Sequence, residues 1–172
     1  MKKLVASALS IAAAALAAGC TSTHSPLVLD SVGPPSAQHA APAGQGSLVV
    51  FSAFDVHADF EAANPYQRHY TNYKILSPDG QLLRAVHNDS GNLSDSPAEV
   101  KLPSGAYRVI AQSNGYGEVT VPVVIAPGQL TTVHLEGGAN SWPDKAALRD
   151  SNPVKLPDGR IVGWRAAQNT AP

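Results

Sequence analysis

A single cysteine, Cys20, rules out any disulfide within this chain of 172 residues. Charge is scarce as well: Asp, Glu, Lys and Arg together make up 15%, and the formal net charge is -1. That leaves neither the basic footprint that nucleic acid requires nor an acidic tail. There is no P-loop, no dinucleotide fingerprint and no Cys-based zinc spacing. No serine sits in a G-x-S-x-G elbow, and no close histidine pair offers the usual start of a metal site. These absences do not exclude an enzyme, but they leave no cofactor to expect and no catalytic residue to name. What is plentiful is proline and glycine, at 14 each, which suits a turn-rich β protein with flexible ends. The length fits one domain plus appendages.

The lone cysteine has a telling position. Met1-Lys2-Lys3 is a short positive start, and Leu4 to Ala18 is an unbroken run of apolar and small residues. Fifteen residues fall short of the roughly 20 that span a bilayer but match a secretory leader. The run ends Leu16-Ala17-Ala18-Gly19-Cys20, which resembles the bacterial lipobox, with Ala17 where Leu is usual. The resemblance implies a signal peptide over 1–19, a diacylglyceryl group on the Cys20 thiol, cleavage before Cys20 and acylation of the new amine. Membrane lipid is then the first partner. The alternative is ordinary cleavage after Ala18 or Gly19, leaving a free thiol. The family's inner-membrane retention signal is Asp after the cysteine; Thr21 stands here, which implies outer-membrane sorting in a host that has one. The leader takes Lys2 and Lys3 with it, so the mature chain carries about -3.

Residues 20–46 read as the lipidated cysteine and a flexible linker. Past Cys20 they hold Pro26, Pro34, Pro35 and Pro42, many Ala, Ser and Gly, and one charge, Asp30. Such a composition buries too little apolar surface to offset ordering entropy. One stretch resists that reading: Leu27, Leu29 and Val32 could pack on the domain as a short extended segment.

From Ser47 short alternating runs separated by turn signals predict an all-β domain over 47–136, a sandwich of about seven strands. The runs are Leu48 to Val56, Tyr70 to Leu76, Gln81 to His87, Glu99 to Leu102, Tyr107 to Gln112, Val119 to Ile125 and Leu130 to Glu136. Ser77-Pro78-Asp79-Gly80 has turn chemistry: Pro presets φ and Gly takes the positive φ that follows. Tyr107, Val109 and Ala111 share one strand face, as do Val119, Val121, Val123 and Ile125, and Val133 with Leu135. Glu118, Thr120, Thr132, His134 and Glu136 fall opposite. Pro122, which cannot donate to a ladder, points to an edge strand or a bulge.

Leu102-Pro103-Ser104-Gly105-Ala106-Tyr107-Arg108-Val109, then Gly115-Tyr116, Val121 to Ile125, Pro127-Gly128-Gln129 and Thr131 to Leu135, resembles PEGA and carboxypeptidase regulatory-like domains. The resemblance covers 99–136 well and 47–98 weakly. It implies a small prealbumin-like Greek-key sandwich of the bacterial envelope and no shared catalytic residue.

Residues 137–172 form a C-terminal extension. A helical turn is expected over Ser141 to Leu148 and a hairpin around Asp158-Gly159. Both tryptophans, Trp142 and Trp164, lie here, which favours docking of part of the tail on the sandwich. Asp55, His57, Asp59 and Glu61 alternate, but without a paired histidine they read as a strand running into a solvated loop. Tyr66, His69, Tyr70 and Tyr73 form an aromatic cluster beside Asn64, Arg68 and Asn72. Tyr66, Tyr70, Trp142 and Trp164 are thus the candidate ligand contacts, with loop packing and core as the competing role. His24, His39, His87 and His134 are expected to be exposed. The function expected is a non-enzymatic, lipid-anchored envelope lipoprotein whose sandwich is an interaction or structural module. The alternatives are a glycan- or peptidoglycan-binding lipoprotein and an enzyme with an unrecognised site.

Overall fold

The strongest alternation builds the longest strands. In the computed structural model, which describes residues 27–34, 44–58, 66–88, 96–137 and 152–166, the runs around Val109 and Val121 form an antiparallel pair of nine residues each. Val119, Val121 and Val123 are fully buried and Ile125 nearly so. Each such side chain contributes roughly 1.5–3 kcal/mol, so this face fixes the register.

Thirteen strands and no helix occur among the described residues. In chain order they are β1 (Leu27–Val28), β2 (Val32–Gly33), β3 (Gln45–Phe51), β4 (Phe54–Ala58), β5 (Tyr66–Tyr70), β6 (Tyr73–Leu76) and β7 (Leu82–Val86). Then come β8 (Glu99–Pro103), β9 (Gly105–Ser113), β10 (Gly117–Ile125), β11 (Leu130–His134), β12 (Pro153–Lys155) and β13 (Ile161–Arg165). An eight-stranded mixed sheet runs β12-β13-β2-β10-β9-β6-β7, with β1 also on β10. A three-stranded sheet runs β11-β3-β8, and β4 pairs with β5. One apolar core takes Val32, Tyr73, Ile75, Val109, Val121 and Val162 from the larger sheet, and Leu48, Val50, Val100, Leu102 and Val133 from the smaller. Among the described residues no helix is long and apolar enough to cross a membrane.

The strands outnumber the seven expected for two reasons. Some runs break where a side chain diverts the backbone: the run from Leu48 is interrupted after Phe51, where Ser52 donates its hydroxyl to Thr71 O at 2.7 Å. The sheet also recruits chain from beyond 47–136. Leu27 and Val28 pair in parallel with Val119 and Thr120, and Val32 with Val123. The stretch expected to be linker therefore enters the sheet at Leu27. At the other end β12 and β13 form the hairpin around Asp158-Gly159, and β13 pairs with β2.

Pro122 lies in an interior strand, contrary to the edge or bulge expected of it. It pairs in register with Arg108 on one side. On the other side, the pairing of β1 ends at Thr120 and that of β2 resumes at Val123. The position lacking an N–H falls in the gap between the two short strands. The helical turn expected over 141–148 lies outside the described residues.

Candidate functional site

The outer face of the larger sheet carries an open groove of about 350 Å³. Its walls follow from register. Lys74 pairs with Ala85 and with Ile110, and Ile110 with Thr120. This gives one outward row across β7, β6, β9 and β10. The next row inward along the strands, Tyr73 opposite Val86 with Ala111 and Val119, points into the core. One step further the outward positions return as His87, Asn72, Gln112 and Glu118, where Gln112 pairs with Glu118. In the first row Lys74 stands between two apolar positions, Ala85 on β7 and Ile110 on β9, and the exposed side chains of Asn72, His87, Gln112 and Glu118 line the row beside it.

The amide at one wall is held in a fixed orientation. Asn72 Oδ1 accepts from the Asn88 backbone N–H at 3.1 Å and lies 3.1 Å from His87 Nδ1. A carbonyl oxygen can only accept, so in this contact His87 Nδ1 is the donor, and the Asn72 NH2 group has no hydrogen bond among the described residues. Beneath this wall Asn88 is fully buried and donates Nδ2 to Val50 O at 2.9 Å and to Ser52 Oγ at 3.0 Å. Ala98 N–H donates to its Oδ1 at 3.2 Å. The groove rim is thus tied to both sheets. Tyr73 is 2% exposed and its hydroxyl has no hydrogen-bond partner; burial pushes its pKa well above the ordinary 10.0, with the Arg84 charge a smaller opposing influence.

A second polar cluster is closed rather than open. His134 Nδ1 and Glu136 Oε1 lie 2.7 Å apart at 8% and 4% exposure. The imidazole stacks on Phe51 at 4.5 Å, with 6° between the planes. Glu136 Oε2 is buried without a hydrogen-bond partner. The expectation that His134 is exposed is therefore corrected: parity put it on the outer face of its strand, but the Phe51 ring and its surroundings cover that face. Next to it Arg160 donates Nη2 to Asn114 O at 2.6 Å and Nε to Asp158 Oδ2, and stacks over Tyr116 at 5.6 Å. The Arg160 backbone N–H, followed by its guanidinium, holds the Asp158 carboxyl below its ordinary pKa. This cluster clamps the β12–β13 hairpin to the β9–β10 turn.

The residues singled out from sequence fall elsewhere. Cys20 and Trp142 lie outside the described residues. Tyr66 pairs with Ala58 through the backbone, and its side chain is outside the description. Tyr70 is 6% exposed, edge-on to Phe51 and Phe54. Trp164 is 9% exposed in β13, opposite Gly33 and Pro153. Both rings are packed into the fold and present little surface to a ligand. Asp55 is exposed on β4, His57 is placed only by its backbone pairing with Gln67, and Asp59 and Glu61 lie outside the described residues. Among the described residues no group of three or more His, Cys, Asp or Glu side chains is placed to hold a metal ion. Sequence reading missed the groove because its walls come from strands that are not neighbours in the chain: β6 pairs with β9. The outward parity of Glu118 and Thr120 was the only signal available.

No family model, no curated protein and no solved structure matches this chain.

Proposed function

We propose that the chain is a cell-envelope lipoprotein, in which acyl chains on Cys20 hold a Greek-key β-sandwich at a membrane surface as a non-enzymatic binding or structural module. The observation that carries this reading is the fifteen-residue apolar run from Leu4 to Ala18, whose end with Gly19 and Cys20 makes the sequence Leu16-Ala17-Ala18-Gly19-Cys20. Each buried methylene adds roughly 0.8 kcal/mol, and one chain alone holds only marginally. Two or three chains on one residue make release from the bilayer negligible. Two sheets feeding a single core support the sandwich, and the turn-rich segment 99–136 supports its prealbumin-like character. Thr21 in place of Asp favours the outer membrane of a host that has one.

The test is intact-mass analysis of the mature protein together with membrane fractionation of the native chain and of Cys20→Ser. The native chain is expected to begin at Cys20, to carry the added lipid mass and to pellet with membranes; the variant is expected to do none of these. A mature product without lipid, recovered freely soluble outside the cell, would end the reading. A saccharide-binding role is favoured as a second reading by the groove, which sets exposed amides and charges beside the apolar positions Ala85 and Ile110.

A further inference from the structure

We propose that the groove formed by β7, β6, β9 and β10 binds a short, neutral oligosaccharide bearing acetamido groups, lying across the strands. This rests on the binding-module reading above and names the ligand of that module. The first support is charge. The groove offers one cation, Lys74, and one anion, Glu118, around the neutral amides Asn72 and Gln112 and the His87 ring. A lining that sums to no charge at neutral His87 repels neither sign and attracts neither. What it selects is a ligand rich in groups that both donate and accept hydrogen bonds, which is the property of sugar hydroxyls. Lys74 and the Asn72 NH2 group supply donors, Glu118 supplies acceptors, and Gln112 supplies both.

The second support is the availability of these groups. Lys74, Gln112 and Glu118 side chains are exposed, with no side-chain hydrogen bond or ion pair among the described residues. Asn72, in contrast, is fixed by Asn88 and His87, so at least one donor is pre-oriented. A pre-oriented amide loses less entropy on binding than a free one. The third support is shape. The polar row crosses four strands, which at 4.7–4.9 Å per strand gives a path of about 14 Å. That length suits a few pyranose rings in a chain. Ile110 and Ala85, one on either side of Lys74, each offer an apolar contact for an acetamido methyl, and the amides of the neighbouring row can pair with its N–H and C=O. A charged peptide would need a lining with an excess of the opposite charge, and the groove has none.

The experiment titrates the folded full-length protein with chitotriose, a trimer of N-acetylglucosamine, by calorimetry and by backbone amide NMR. Cellotriose, triglutamate and trilysine serve as comparisons. Saturable binding with Kd at or below about 1 mM is expected, with shifts centred on Asn72, Ile110, Gln112 and Glu118. Gln112→Ala and Glu118→Ala are each expected to weaken binding about fivefold to tenfold at an unchanged melting temperature. Ala85→Trp, which sets a large ring beside Lys74, is expected to abolish it. The proposal is overturned if chitotriose gives no saturable shift with the folded protein. It is also overturned if Ala85→Trp binds as well as the native chain, if cellotriose binds equally well, or if a charged tripeptide binds in its place. Failure of the anchor reading would leave this titration untouched, because the groove does not involve Cys20. Crosslinking to a defined envelope protein without any saccharide response would keep the module and remove this ligand.

Discussion

Every polar atom of the Asn88 amide is engaged: Nδ2 donates to Val50 O and Ser52 Oγ, and Oδ1 accepts from Ala98 N–H. Asn88→Ala removes three bonds and leaves a buried carbonyl and a part-buried N–H unpaired. A loss of about 3 kcal/mol is expected, read as a lower midpoint in denaturant with unchanged slope. Tyr73 presents the opposite case, a buried hydroxyl with no partner. Tyr73→Phe is expected to be neutral or to stabilise by about 1 kcal/mol at neutral pH. It also has a pH signature. The folded phenol holds its proton to higher pH than the unfolded one, whose pKa is near the ordinary 10.0. Stability is therefore intact below that value and falls as pH rises above it. Alkaline melts should show this decline in the native chain and a flatter profile in Tyr73→Phe. That Tyr73 is core was legible in the sequence, but its unpartnered hydroxyl and the enclosed Asn88 amide were not. Asn88 reads as the first residue of a polar loop, and nothing in its neighbours announces that its amide is enclosed. His134 was misread for the same reason: parity gives the face of a strand but not what covers that face.

At the level of strands, legibility followed length. The nine-residue β9 and β10 were plain from their alternation, and Asp158-Gly159 announced a hairpin. β1 and β2 have two residues each, too few for any period to show, and only the apolar character of Leu27, Leu29 and Val32 hinted at them. The adjacency of β6 and β9 rests on a crossover that no local pattern encodes, so the groove built on it was invisible. The N-terminal pair is nonetheless integral: Val32 is fully buried and touches the position where Gly163 passes close to β11. Val32→Asp places a carboxylate in that core. It is expected to cost about 3–5 kcal/mol or more and to expose the segment around Leu27–Gly33 to limited proteolysis. If that variant melted like the native chain, the N-terminal strands would be ornament. Gly46 gives a complementary check, since a Cβ there would collide with Ala126 O and the Ile125 side chain. Gly46→Ala should lower the melting temperature although alanine is small and apolar.

For the molecule as a whole, the spacer is shorter than composition suggested. Composition suggests 26 residues of coil past Cys20, but among the described residues the sheet already takes in Leu27, which leaves at most Thr21 to Pro26 as coil ahead of it. A coil of six residues would span about 14 Å, against about 28 Å for one of 26. In the lipoprotein reading the domain rides close to the headgroups. A twenty-residue Gly/Ser insertion ahead of Leu27 is expected to double that separation roughly, following the same scaling. Energy transfer between a domain-borne dye and a labelled bilayer would measure it, and an unchanged distance would contradict a tether this short. The parallel docking of β1 on β10 has a mechanical consequence. Tension applied ahead of Leu27 and directed along the strand axis loads the β1–β10 and β2–β10 contacts in shear, so they share the force instead of peeling one by one. A chain tugged from its amino end would resist as a lap joint does, passing the load straight into the middle strand of the larger sheet.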